Sequence, residues 1–227
     1  MRENSVEQLI LQRQLAIKDL EDKSWTTRVR QLLWEYKLPS AFEILENPPQ
    51  KKHWARTVKD AVSTSVFDEL KEEAKQKKSL KFINLDACQP GHPHPVWDTP
   101  PDPKQVIMAS VKAKLLTQRY PLTATSCAGK SKVNSCPLCS GPPECLTHFL
   151  TECPSLSEIR THYLTKLDTI LDPFDYSVPD DKPDLVQFLL DVSNYDLPPD
   201  VLYSIEAITR KMCHALHNER SIKLSVG

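Results

Sequence analysis

Apolar positions recur at helical spacing in several separate stretches of the chain. Between residues 5 and 38 two helices are expected, one carrying Val6, Leu9, Ile10 and Ile17, the other Trp25, Val29, Leu32, Leu33 and Tyr36, until Pro39 stops the second. A third, from about His53 to Lys78, sets Trp54, Val58, Val62, Val66 and Leu70 nearly in one stripe and ends in a solvated charged segment from Asp68 onward. A fourth, from about Lys104 to Tyr120, places Ile107, Val111 and Leu115 on one face and Lys112 and Arg119, seven residues apart, together on another. Pro121 ends it.

Two more follow. Ser155-Leu-Ser-Glu158 has the spacing of a capping box ahead of Leu156, Ile159, Tyr163 and Leu167. A last helix beginning near Pro199 aligns Val201, Ile205, Met212 and Leu216, with Arg210, His214 and His217 expected as a solvated flank.

The connections are less regular. Residues 82 to 103 are proline-rich, and the histidines of Gly91-His-Pro-His-Pro95 are expected to pack or face solvent rather than join Cys88 in a metal site, with Trp97 anchoring the loop. Residues 122 to 143 are polar and too poor in large apolar side chains to offset the conformational entropy of ordering them. Four Gly against nineteen Pro, and scarcely any alternating pattern, argue against sheets. The fold expected is mostly α, an irregular helical array with a small CCHC zinc knuckle, divided at 1–103, 104–168 and 169–227.

Charge changes the picture through its distribution, because the formal net charge is only −1. From Pro103 to Pro143 there are six basic residues (Lys104, Lys112, Lys114, Arg119, Lys130 and Lys132) and no acid, whereas Asp172 to Asp200 holds eight Asp and one Lys. The first stretch suits a polyanion; the second reads as an acidic loop. No apolar run of about 18 residues spans a bilayer, and none after Met1 has the form of a signal peptide. An intracellular setting, nucleus or cytoplasm, is expected.

In a reducing compartment clustered cysteines are more often metal ligands than disulfides, and five of the seven fall within residues 127 to 153. Cys136-Pro-Leu-Cys139 is a CxxC pair, and His148 and Cys153 form a His-x4-Cys pair eight residues on. Two ligands from a tight turn and two from the next can converge on tetrahedral Zn²⁺, and four protein ligands leave no position for water, so the site is structural. Cys145 is a less suitable substitute ligand, only three residues from His148.

Val111-Lys-Ala-Lys-Leu-Leu-Thr-Gln-Arg-Tyr120, Cys136-Pro-Leu-Cys139, Glu144, His148-Phe-Leu and Cys153-Pro resemble the zinc-binding segment downstream of the polymerase in reverse transcriptases of LINE-type (non-LTR, jockey-like) retrotransposons. The resemblance extends to Tyr36-Lys-Leu-Pro-Ser40, His94-Pro-Val-Trp97 and Met212-Cys-His-Ala-Leu-His217. It implies the C-terminal tail of an element-encoded polyprotein that contacts template RNA or target DNA beside its own polymerase portion, with zinc on Cys136, Cys139, His148 and Cys153. The spacing is longer than in the retroviral knuckle, so Phe149 is expected in the core rather than stacked on a base.

No catalytic apparatus accompanies these ligands. A polymerase needs metal-binding carboxylates on a hairpin, whereas Asp180-Asp181 sits between prolines. A zinc deaminase needs His-x-Glu ahead of its Pro-Cys-x-x-Cys, and Ser135 precedes Cys136 with no such motif upstream. The expectation is a non-enzymatic, nucleic-acid-binding module in which Lys112, Lys114, Arg119, Lys130 and Lys132 meet phosphates. The alternative is a structural or protein-interaction platform held together by zinc.

Overall fold

The computed structural model describes residues 6–16, 24–98, 102–123 and 135–226. Among these described residues the chain forms the α-helices α1 (Val6–Ala16), α2 (Trp25–Glu35), α3 (Ala41–Glu46), α4 (Lys51–Lys75), α5 (Pro103–Leu116), α6 (Ser157–Leu171), α7 (Lys182–Leu190) and α8 (Pro199–Val226). Short 3-10 turns and a π-turn lie between them. Among the described residues no strand forms, only an isolated bridge between Gln89 and His92. The mostly α architecture is as the periodicity indicates.

The chain divides into two compact units, Met1–Glu72 and Glu73–Gly227. This boundary falls inside α4 rather than at 103 or 168, because the proline-rich segment after α4 is bonded into the C-terminal unit.

In the first unit, helix ends are set by local chemistry. Ser24 Oγ accepts from Thr27 N at the start of α2, and Ser40 and Glu43 form a reciprocal capping box on α3. At the end of α2 Lys37 turns left-handed (φ 52°) and Leu38 N donates to Leu33 O, a Schellman closure without glycine. Burial is sparse here: Leu33 is covered, whereas Trp25, Trp34 and Phe42 are exposed. The stripe on α4 is shallower than expected, with Val66 and Leu70 both exposed.

The second unit holds the continuous core. α8 packs against both α5 and α6, burying Val201, Ile205, Met212 and Leu216 against Leu115, Leu116, Leu156 and Leu167. α5 starts at Asp102, whose side chain accepts from Lys104 N, with Pro103 in the first turn. It stops at Leu116, four residues before the expected end, because Gln118 adopts φ 56° and Arg119 N returns to Lys114 O. Lys112 and Arg119 therefore do not share a helix face.

Three further expectations change. The acidic stretch contains α7, which buries Leu185, Val186, Phe188, Leu189 and Leu190 beneath its charged ends. Ser155 does not cap α6; its Oγ donates to Leu138 O instead. Trp97 is 41% exposed, and the loop is anchored by Val96 and His94.

That anchoring is polar. Arg210, buried in α8, donates to the carbonyls of Pro95, Val96 and Asp98, so it is a structural clamp and not part of a solvated flank. His94 Nδ1 accepts from Val96 N, leaving Nε2 toward Asn84 O, Asp191 and Ser193. Although Asp, His and Ser meet here, both partners approach the same ring nitrogen and Ser193 Oγ donates to Asp191. A relay needs the acid and the nucleophile on opposite nitrogens. The arrangement fixes a loop.

Candidate metal centre

Cys136 opens a tight turn in which Ser140 N donates to Cys136 O and Cys136 N donates to Gly141 O. Ser140 takes φ 57° to close it. Gly141 keeps this side of the turn uncrowded: a Cβ there would stand 3.2 Å from Cys139 Sγ, so the thiol would have to shift by a few tenths of an ångström. The turn thus directs Cys136 and Cys139 to one side, and the Ser155 hydroxyl ties its Leu138 carbonyl to the start of α6 at 2.8 Å.

The other pair comes from a π-turn, His148–Glu152. In a regular α-helix a step of five residues rotates a side chain about 140° round the axis, which would part His148 from Cys153. The wider turn, closed by Cys153 N to His148 O at 2.7 Å, reduces that separation.

The two pairs meet. Cys136, Cys139, His148 and Cys153 bring one donor atom each to within 4.8 Å of all the others, the only such group of three or more His, Cys, Asp or Glu among the described residues. Cys136 Sγ lies 4.0 Å from Cys153 Sγ, and Cys139 Sγ lies 3.4 Å from His148 Nε2. Tetrahedral bonds of about 2.3 Å to sulfur and 2.0–2.1 Å to nitrogen imply edges of roughly 3.8 and 3.6 Å. The donor set fits a metal ion.

The surroundings complete the fit. His148 Nδ1, buried, faces Glu152 Oε2 at 3.5 Å, and Glu152 is held by Lys182 Nζ at 2.7 Å. A carboxylate behind the ring favours Nε2 as the ligand nitrogen. Burial, then the neighbouring Cys136, pushes the Cys153 thiol up to about 12, and burial raises Cys136 too. Without a cation these sulfurs stay protonated. Arg160 supplies one fixed positive charge nearby, donating to Leu150 O and Cys153 O, its own proton affinity lowered by burial. Cys145 stands outside the group: exposed, its Sγ accepts from His148 N.

The loop is bolted to α8. Glu144, wholly buried, receives a bidentate pair from Arg220 at 2.7 and 2.8 Å. Phe149, fully buried as expected, stacks on Tyr120 with ring centroids 5.4 Å apart. Tyr120 in turn meets His217 Nδ1 through its hydroxyl at 2.7 Å. Sequence reasoning missed Glu144, Glu152, Arg160 and Arg220 as supports: Glu144 and Arg220 meet across 76 residues, whereas Glu152 and Arg160 act within ten residues, on His148 and on the carbonyls of Leu150 and Cys153.

The basic residues fare differently. Lys112 is fully buried, its Nζ 2.6 Å from both Glu206 Oε2 and Thr209 Oγ1. It is not available to a phosphate, a correction with a plain cause: Lys112 lies on the face of α5 that packs against α8. Lys114 and Arg119 are exposed. Lys130 and Lys132 lie outside the described residues. Asp180 and Asp181 occupy a bend and the N-cap of α7. No described helix is long and apolar enough to cross a membrane.

The chain matches no protein-family model, no curated protein and no solved structure.

Proposed function

We propose that the chain is a non-catalytic, zinc-organised nucleic-acid-binding module, of the kind implied by its resemblance to the tails of LINE-type reverse transcriptases. The observation that carries this reading is the closed Cys3His cluster. Three thiols and one imidazole suit zinc by ligand softness and by tetrahedral arrangement. With four protein donors no coordination position is left for a reacting water, so the metal's contribution is to folding.

What zinc would organise is a short turn next to the end of a basic helix. Lys114 and Arg119 are exposed at the C-terminal end of α5, and Phe149 and Glu144 join the metal loop to Tyr120 and Arg220. With Lys112 removed from the contact set, Lys114, Arg119, Lys130 and Lys132 remain as phosphate partners. Four contacts to a single strand give log K against log salt a slope near −3.

The test pairs metal analysis with a salt series on single-stranded RNA. One equivalent of Zn²⁺ per chain and a slope near −3 support the reading. Folded protein with well under half an equivalent of zinc, or no RNA binding at about 50 mM salt, would turn it toward the protein-interaction platform.

A further inference from the structure

α8 presents an outward face that the basic stretch of the sequence did not include. Between Asp200 and Glu219 the sole acid on this helix is Glu206, and it is buried against Lys112 and Arg210. Glu219 sits about 80° round the axis from Lys211 at 100° per residue and is occupied by Lys223 at 3.3 Å. The outward positions from Ala207 onward are Ala207, Lys211, His214, Asn218 and Ser221, none of them fully buried. None of these is an acid, and all but Ala207 carry a polar group.

This face continues onto the end of α5. His217 meets Tyr120, which directly follows Arg119. Its proton affinity is lowered, first by burial. His214 and His217 have ring centroids 6.3 Å apart, and Asn218 Nδ2 reaches His214 Nδ1 at 3.3 Å. Among the described residues Lys114, Arg119 and Lys211 are all exposed and take part in no ion pair, unlike Lys112, Lys182 and Arg220.

Unpaired cations on an acid-free surface leave an excess field that a polyanion neutralises. A protein partner would call for a desolvated apolar anchor. The outward strip from Ala207 to Ser221 has none; the exposed apolar side chains of α8, Tyr203, Ile222 and Leu224, lie beyond its two ends.

We infer that Lys211, His214 and Asn218 of α8, together with Lys114 and Arg119, form a continuous surface that takes the phosphate backbone of a single-stranded nucleic acid. The inference rests on the nucleic-acid reading above and extends it to a helix far along the chain from the metal ligands. Each lysine supplies a phosphate contact without base information, so its loss weakens binding to all sequences alike. Backbone recognition of this kind accepts RNA and DNA; only contacts to the 2′-hydroxyl separate them.

The experiment uses the zinc-loaded full chain and single strands of RNA and DNA of equal length across a salt series. Lys211→Gln is expected to make the slope of log K against log salt shallower by about 0.7, while Lys166→Gln, on the exposed side of α6, leaves it unchanged. In the unaltered protein, bound RNA should shield Lys211 and Lys114, but not Lys166, from an amine-acetylating reagent read by mass spectrometry. That second measurement needs no variant to fold. If the parent binds with a steep slope yet Lys211→Gln matches it and Lys211 is acetylated equally with and without RNA, the α8 surface is wrong and the nucleic-acid reading survives. If the parent binds neither strand at about 50 mM salt, both fall together.

Discussion

Substituting Lys112 by Met separates two physical roles that the sequence assigns to one residue. The substitution keeps the aliphatic stem and removes the ammonium, so packing against the core changes little. What is lost is a buried charge paired at 2.6 Å with Glu206 and bonded at 2.6 Å to Thr209. Glu206 retains Arg210 at 3.0 Å, but that guanidinium is also committed to three carbonyls of residues 95 to 98. Removing one member of a buried ion pair typically costs about 3–5 kcal/mol, because the remaining charge is left undercompensated. Urea unfolding followed by circular dichroism, with a slope of ~2 kcal/mol per molar, should therefore show a midpoint lower by roughly 1.5–2.5 M. Amide hydrogen exchange should locate the loss in α5 and α8. The double variant Lys112→Met with Glu206→Gln should cost less than the sum of the single changes, since the stranded carboxylate is gone. Stability within about 0.5 kcal/mol of the parent, joined to a shallower salt slope for RNA, would refute the buried placement and return Lys112 to the binding surface.

Three other outcomes follow from the geometry. Glu144→Gln removes the carboxylate charge from the bidentate pair with Arg220 and should loosen the metal turn from α8, read as faster exchange of Thr123 and of residues 135 to 147, with zinc retained. His217 has its folded-state proton affinity lowered, mainly by burial. The unfolded chain thus takes up a proton more readily, and stability is complete above about pH 6.5 and declines as pH falls through that value; His217→Gln should flatten that decline in a series of unfolding midpoints. Zinc uptake by metal-free protein should release protons, because the Cys136 and Cys153 thiols are held protonated by burial, and affinity should fall with pH in a chelator competition.

How much was legible in the sequence follows the range of each interaction. The cluster of Cys136, Cys139, His148 and Cys153, which could hold a metal ion, was readable because its spacing is local and metal chemistry restricts the residue types. The helices α2, α4, α5, α6 and α8 were readable from periodicity, to within a few residues at their ends. The end of α5 was not, since Gln118 adopts a left-handed turn usually given to glycine. α7 was hidden because the acids flanking Leu185 to Leu190 dominate the composition of that stretch. Lys112 and Arg210 were misread for a common reason: Glu206, the carboxylate that holds Lys112, lies 94 residues away, and the carbonyls of Pro95, Val96 and Asp98 that hold Arg210 lie 112 to 115 residues away. A charge looks solvated until the fold supplies its partner. The supports of the metal turn, Glu144 with Arg220 and Glu152 with Lys182, are likewise 76 and 30 residues apart.

Whether the Cys3His cluster is a closed zinc site is read from X-ray absorption at the zinc edge of the purified full chain. A closed site gives three sulfur neighbours at about 2.3 Å and one nitrogen at about 2.0–2.1 Å, with no oxygen neighbour. Absence of bound zinc, or a site completed by a water oxygen in place of one sulfur or the imidazole, would contradict it.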